Sequence, residues 1–459
     1  MSTDRFVNLD LDSAALGPVT DLYQLTMMAG YHGAGMAEER AVFELFVRRL
    51  PKRRSYLVFA GLEQALDALM HLRFTAEQVA DLHAWPCFGA VDPAWFDRLL
   101  DFRFGGDVWA VPEGTVVFAG EPLLRVEATL PEAQLVETLL LGTLGYPTLV
   151  ASKAARIVDA AQGRGVIDFG ARRGHGLQAS FLCARAAYLA GFVGTSQVEA
   201  ARRLGIPALG TMAHSWVQAF DDEAAAFAAF ARQFPRSTLL VDTYDTAEGV
   251  RQAAAIEPPI RAIRVDSGDL VAEAAQARRL LDGLDRRGVE IVLSGDLDED
   301  SIARLVAAGA PADSFGVGTE LITSGGAPAL SMVYKLVESG GVGRIKKSPG
   351  KRTYPLAKQV DRRLRPDGRI DHDLVVHASE PIRGEALLRP VLQGGLPVAD
   401  HPSLEEIRRY CAAQRDRLPD DVRALDGGGE VPIRYSDALQ DEATRLGLVH
   451  SPRPAAGSH

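Results

Sequence analysis

Val166-Ile167-Asp168-Phe169-Gly170 is a short apolar run that stops on an acid, an aromatic ring and a glycine. It has the length of one buried strand, and the residues after it have the composition of a turn. The signature recurs in Phe192-Val193-Gly194-Thr195, Pro207-Ala208-Leu209-Gly210-Thr211, Leu239-Leu240-Val241-Asp242, Ala262-Ile263-Arg264-Val265-Asp266, Ile291-Val292-Leu293-Ser294-Gly295-Asp296 and Phe315-Gly316-Val317-Gly318-Thr319. Helical stretches separate these runs, which return at intervals of roughly 15 to 32 residues, so the text reads as repeated β/α units. With residues 332–337 as an eighth candidate, the pattern predicts a β/α barrel. In such a barrel the residues just past each strand gather on one rim, where the chemistry is found.

Outside this stretch the text differs. Residues 22–31, 62–70 and 132–141 have helical periodicity, while residues 108–111, 115–118 and 123–126 are strand-like runs separated by Pro-Glu-Gly and Ala-Gly-Glu-Pro turns. That predicts an α+β domain with a small antiparallel meander. The segment 344–363 is basic and punctuated by Gly and Pro, and reads as a loop leaving the barrel. Residues 381–397 look strand-like and 404–415 helical, both returning to the first domain. The expected division is an N-terminal α+β domain over 1–148, the barrel over 149–343, a basic loop and returning segment over 344–445, and a tail over 446–459.

The chain has 459 residues, 47% of them apolar, which is enough for two or three cored units. Its 50 Lys and Arg against 60 Asp and Glu give a formal charge of −10. That argues against nucleic-acid or anionic-membrane partners, so an anionic ligand must be met by a local basic pocket. Cys87, Cys183 and Cys411 lie far apart, which suggests neither a disulfide framework nor a cysteine zinc site and fits a reducing cytoplasm. Asp4, Arg5, Asp10 and Asp12 interrupt the first dozen residues, unlike a signal peptide, and the uncharged stretches are short of a bilayer span.

No G-x-x-x-x-G-K-[ST], G-x-G-x-x-G, G-x-S-x-G or H-E-x-x-H pattern occurs, so Walker, Rossmann, serine-hydrolase and zincin readings lose their support. The positive signal is the expected rim: Arg172, Arg173, His175, His214, Asp242, Arg264, Asp266, Asp269, Asp296 and the Gly316 to Thr319 turn. A glycine turn can free backbone N–H groups for a phosphate, carboxylates can take sugar hydroxyls or Mg²⁺, and arginines can fork onto a carboxylate or pyrophosphate. Together they suit a phosphorylated sugar. Each has a plainer reading: Asp266 and Asp269 could be helix N-caps, Arg172 and Arg173 a solvated helix start, and His214 a core histidine.

Thr20-Asp21-Leu22-Tyr23-Gln24-Leu25-Thr26-Met27, Phe43-Glu44-Leu45-Phe46-Val47-Arg48, Asp168-Phe169-Gly170-Ala171-Arg172-Arg173, Gly210-Thr211-Met212-Ala213-His214-Ser215, Arg264-Val265-Asp266-Ser267-Gly268-Asp269-Leu270, Ser294-Gly295-Asp296 and Phe315-Gly316-Val317-Gly318-Thr319 together resemble the nicotinate phosphoribosyltransferase family, in order over residues 18–440. The resemblance implies an α/β fold: an irregular (β/α) barrel with an additional α+β domain built from the N-terminal and C-terminal segments. It implies a homodimer with shared active sites, and nicotinate, phosphoribosyl pyrophosphate and ATP as ligands. Mg²⁺ is the implied cofactor, with its ligands unassigned.

By the same resemblance His214 is the histidine that ATP phosphorylates, Tyr23 (from the neighbouring subunit) and Phe169 sandwich the pyridine ring, and Arg172 lies by the nicotinate carboxylate with Arg264 close by. Asp266, Gly295 and Asp296 match ribose and metal-side contacts, and Gly318 and Thr319 the 5′-phosphate cradle. Asp242 and Thr195 complete the expected binding set, and Lys153, Lys346 and Lys351 close over phosphates. In nicotinamide enzymes the Gly194-Thr195-Ser196 turn resembles Gly-Thr-Asp; the neutral Ser196 hydroxyl favours the acid, because an Asp would repel a carboxylate. Pro355-Leu356, where Pro-Gly is common, and Gly142-Thr143-Leu144-Gly145-Tyr146 depart from the family text. Nicotinamide or quinolinate transfer, or a non-catalytic phosphosugar-binding barrel, are the competing readings.

Overall fold

Apolar runs become strands where backbone pairing and burial on both faces reinforce each other. In the computed structural model, which describes residues 11, 15–348, 353–426 and 428–447, six of the seven expected runs pair in one parallel sheet. Its order is Gly194–Thr195, Gly165–Asp168, Ser314–Val317, Glu290–Leu293, Ala262–Val265, Thr238–Leu240. Ile263, Ile291, Leu293, Phe315 and Val317 are fully buried in it. The sheet curls as a half-barrel. The seventh run fails as a strand: only Ala208 bridges to Thr195, because Pro207 brings no N–H to a ladder.

The expected eighth strand is a correction. Met332–Ser339 pairs antiparallel with Arg40–Val47, so it belongs to the N-terminal sheet. That sheet runs Val342–Gly343, Met332–Ser339, Arg40–Val47, Pro122–Thr129, Asp107–Ala110, Arg389–Gln393, Leu396–Pro397. Tyr334, Val337 and Ser339 are buried and the other residues half-exposed, a pattern that cannot say which sheet a strand joins. Of the expected returning segment 381–397, Arg389–Gln393 and Leu396–Pro397 join this sheet, while Glu385–Ala386 pairs elsewhere, with Lys358–Leu364. The expected meander is also corrected, since Val116–Val117 leaves the sheet to pair with Leu57–Val58.

The boundary expected between 148 and 149 falls inside one helix, Glu137–Ala161. With Leu130–Leu135 it makes the one segment among the described residues that is long and apolar enough to cross a membrane, yet 67% of its apolar window is buried in the protein. It is the shared core helix of both domains. Its buried Lys153 and Arg156 both pair with Glu299, so Lys153 is spent holding the helix rather than waiting over phosphates.

The basic segment is not simply a loop. Lys358–Leu364 is a strand of a third sheet with Glu385–Ala386, Ile370–His377 and Ile433–Tyr435. In it Arg362 is fully buried, forks onto Asp373 and donates to Val116 O at 2.9 Å. The helix Leu404–Asp416, expected on the first domain, touches it at Gly114 and Thr115 but is also bound to the half-barrel side, where Arg408 and Arg415 donate to Tyr188 O, Gly191 O and Ala190 O. Lys351 and residues 448–459 of the expected tail lie outside the described residues.

Candidate active site

The parallel register brings the strand ends level: Val317 lies beside Asp168, Asp168 beside Thr195, and Leu293 beside Val265. The residues that follow therefore meet on one rim. Arg264 lies at its centre, with Nε donating to Ser294 Oγ (2.7 Å), Nη1 to Thr211 Oγ1 (3.0 Å) and Nη2 to Asp266 Oδ1 (2.5 Å). Ser294 Oγ also donates to Asp266 Oδ1 at 2.5 Å. Asp266 Oδ2 is left facing His214 Nε2 at 4.0 Å. His214 opens the helix His214–Gln218, and its Nδ1 is 3.2 Å from Thr243 Oγ1.

Asp242 Oδ2 accepts from the Asp266 N–H (2.9 Å) and the Ser267 hydroxyl (2.6 Å), while its Oδ1 is buried without a partner. The chain crosses itself closely here: a Cβ on Gly295, which has φ 103°, would collide with the Asp266 carbonyl oxygen. Asp296 follows in the left-handed region at φ 47°, exposed. Asp266 is therefore no helix cap. Asp269 is one, since its Oδ1 accepts from the Val271 and Ala272 N–H groups.

Phe169 forms a wall. Its N–H donates to Val317 O at 2.8 Å, a Cβ on Gly316 would collide with its ring, and the Arg264 guanidinium lies 5.3 Å from the ring centroid. Next to it Asp168 is buried, and burial raises its carboxyl above the ordinary range, against the hydrogen bonds from Thr195 and Gly170. Thr195 is fully buried too, its hydroxyl spent on Asp168 Oδ2, so it has no group to offer a ligand directly. Ser196 is half-buried. Gln197, not Ser196, caps the next helix by accepting from Ala200 N–H, which leaves the Ser196 hydroxyl unspent.

Gly318 and Thr319 start the short helix Thr319–Ile322, beside Phe169 O. Arg172, Arg173 and His175 are exposed and without a partner among the described residues. Tyr23 is not brought to the rim. It stands on the helix Leu22–Gly33, 46% exposed, and donates its hydroxyl to Glu137 Oε2 at 3.1 Å. Burial and Glu137 push that phenol up to about 12. A separate group, Glu63, Glu113 and His401, offers ligand atoms within 4.8 Å of one another, but Arg185 forks onto both carboxylates and takes the place of a cation.

Comparison with known proteins decides the family. The sequence matches the family described as nicotinate phosphoribosyltransferase (NAPRTase) over residues 165–359, its N-terminal domain over 19–145 and its C-terminal domain over 372–442. A nicotinate phosphoribosyltransferase of Mycobacterium tuberculosis is 45% identical over 448 residues, covering 96% of each chain. That of Bacillus subtilis is 35% identical, over 94% of this chain and 95% of its own. This chain belongs to the nicotinate phosphoribosyltransferase family. The crystal structure of human nicotinic acid phosphoribosyltransferase superposes with a TM-score of 0.81 at 30% identity, over 93% of this chain and 99% of that one. Nicotinate-nucleotide pyrophosphorylase from Pyrococcus furiosus gives 0.74 at 27%, over 90% and 98%.

Both departures from the family's usual text are absorbed structurally. Leu356 adopts φ 67°, the left-handed conformation a glycine would take freely, at a cost of about 1 kcal/mol. Its carbonyl accepts from Lys358 Nζ at 2.8 Å. Tyr146 donates to Ile322 O at 2.8 Å and so ties the long core helix to the Gly318 turn. Reading the nicotinate phosphoribosyltransferase rim from sequence missed three residues: Thr243 behind His214, Ser294 between Arg264 and Asp266, and Asp168 beneath Phe169. Asp168 and Ser294 stood inside the motifs that carry the resemblance but were given no role there, and Thr243 had as its only signal its place beside Asp242.

Proposed function

We propose that this chain joins nicotinate to phosphoribosyl pyrophosphate, giving nicotinate mononucleotide and pyrophosphate, and couples this to ATP hydrolysis through a phosphohistidine on His214. The observation that carries the reading is the approach of His214 Nε2 to Asp266 Oδ2, 4.0 Å, on a rim that also holds Arg264 and Asp242. The pyridine nitrogen attacks C1 of the ribose, the N–C bond forms, and the bond from C1 to the pyrophosphate oxygen breaks. That nitrogen carries no proton, so no general base is needed, and the rim's task is electrostatic.

Arg172, exposed and without a partner among the described residues, would meet the nicotinate carboxylate or the departing pyrophosphate. Phe169 supplies one aromatic wall, and Tyr23 the other from a second subunit of a homodimer. The free Ser196 hydroxyl admits a carboxylate where an aspartate would repel it. Gly318 and Thr319 take the 5′-phosphate, and Gly295 and Asp296 face the ribose. Asp242 and Asp266 would hold Mg²⁺, since each keeps a carboxylate oxygen without a protein donor and Mg²⁺ prefers such oxygens. The ion would supply charge neutralisation at the pyrophosphate.

In the tautomer that donates Nδ1–H to Thr243 Oγ1, Nε2 keeps its lone pair. It attacks the γ-phosphorus of ATP, the bond to the bridging oxygen breaks, and ADP leaves. Water later releases the phosphoryl group. The free cysteines fit a reducing, cytoplasmic setting. Incubation with γ-labelled ATP tests the coupling: acid-labile, base-stable label on the native chain and none on His214→Ala is expected. Label on neither chain, alongside nicotinate mononucleotide formation, would remove the ATP-coupling role and leave the transfer reaction.

A further inference from the structure

Asp168 is a buried carboxylate that the proposed reaction does not use. It is 1% exposed and forms no ion pair among the described residues, so hydrogen bonds alone compensate its burial. Oδ1 accepts from Gly170 N–H at 2.8 Å and Oδ2 from the Thr195 hydroxyl at 2.7 Å. Its main-chain oxygen accepts from Ser196 N–H at 2.8 Å. The Thr195 hydroxyl accepts in turn from Gln197 N–H at 3.1 Å. Gly170 directly follows the ring wall Phe169, and Ser196 directly follows Thr195. The two carboxylate oxygens thus clamp the ends of neighbouring strands at the two points that carry the ring wall and the unspent hydroxyl.

We infer that Asp168 and Thr195 are a positioning pair that sets the spacing between the Phe169 ring and the Ser196 hydroxyl, and through it the choice between a pyridine carboxylate and a pyridine amide. This rests on the reading that Phe169 and Ser196 meet nicotinate. A carboxylate placed here fixes the slot in both directions. A hydrophobic residue of similar size would fill the space without holding either turn.

Thr195→Val keeps the volume and removes the donor. It is expected to raise KM for nicotinate by about tenfold or more, through loss of the buried bond to Asp168 and of the bond accepted from Gln197 N–H, with KM for phosphoribosyl pyrophosphate unchanged. The preference for nicotinate over nicotinamide should narrow in parallel, and Thr195→Ser, which restores the hydroxyl, should recover both. Asp168→Asn should shift both in the same direction as Thr195→Val, because an amide has one accepting oxygen where the carboxylate has two, so either the Thr195 O–H or the Gly170 N–H is left facing an NH₂ group. Thermal unfolding of each variant reports the fold. A lower midpoint with both KM values and the acid-to-amide ratio unchanged would overturn the inference, as would equal loss for both substrates. If Thr195→Val does not fold, Thr195→Ser decides alone: wild-type KM values and acid-to-amide ratio support the inference, and a raised nicotinate KM or narrowed ratio with the hydroxyl present overturns it. A wild-type chain that makes no nicotinate mononucleotide is a separate result, which defeats the functional reading before any variant is compared.

Discussion

Gly316 shows how little room the rim leaves at a single residue. It lies in the strand Ser314–Val317 directly under the Phe169 ring, where any side chain would overlap Cδ2 and Cε2. The ring cannot retreat, because Gly170 behind it is held by Asp168 and packs against Ile322 and the Gly318 carbonyl. Gly316→Ala must therefore displace the ring into the space where the substrate would lie. We expect it to lower kcat/KM for nicotinate by about a hundredfold, a cost of about 3 kcal/mol in line with overpacking a tight site. Steady-state kinetics at saturating phosphoribosyl pyrophosphate measures this, and an Ala variant with ordinary nicotinate kinetics would show that Phe169 is not the wall. The sequence supplied Phe169 and Gly316 as separate motif residues. Their contact is a tertiary fact, because 147 positions separate them and only strand pairing sets them side by side.

Among the elements, the helix Glu223–Gln233 is the least comfortable. Its first residue lies in a concentration of acids, and one carboxylate oxygen is buried without a partner. Burial first, then Glu248, Asp222, Asp245 and Asp242, push the Glu223 carboxyl up to about 7 from the ordinary 4.5. The folded chain thus holds a proton that the unfolded chain releases, so this group's contribution is full at low pH and is lost as pH rises through about 7. Glu223→Gln keeps the protonated shape at every pH. Its gain in thermal midpoint over the native chain should be small at pH 5 and larger at pH 8; an equal or absent gain at both would show that the carboxyl titrates normally. The element scale also resolves the ambiguity of the acids after strands. Asp245, Asp269 and Asp298 cap the helices that follow them, and Asp266 does not.

For the whole molecule, the decisive feature is that Tyr23 and the rim are held by different parts. Tyr23 is fixed by Glu137 at the start of the long core helix, while His214, Arg264 and Asp266 are fixed by the half-barrel. If two subunits share each site, chains carrying Tyr23→Ala and His214→Ala should regain part of the lost activity when mixed. In random heterodimers one of the two sites keeps both residues, so activity up to about a quarter of the native value is expected from an equal mixture. Inactive mixtures in which heterodimers are demonstrated would contradict the shared site. The domains themselves are knitted by buried charge: Arg362 joins the C-terminal sheet to Val116 of the N-terminal domain, and Arg185 joins the half-barrel side to Glu63 and Glu113.

Local chemistry was enough to mark the parallel strands, the glycines at their ends and the acids that follow, because a buried strand must be apolar along its length and a tight turn must be permissive at its end. It placed His214 among the expected rim residues, whereas Phe169 and Ser196 were picked out only by the resemblance to the family. Partnership was not written in the text. The strand Met332–Ser339 reads like its predecessors yet joins another sheet, and the basic segment hides a buried strand whose arginine is neutralised by Asp373. Such choices depend on which surfaces remain to be covered once the half-barrel has formed, and on which distant carboxylate can meet a charge away from water. Those are properties of the packed chain, and no window of neighbouring residues contains them.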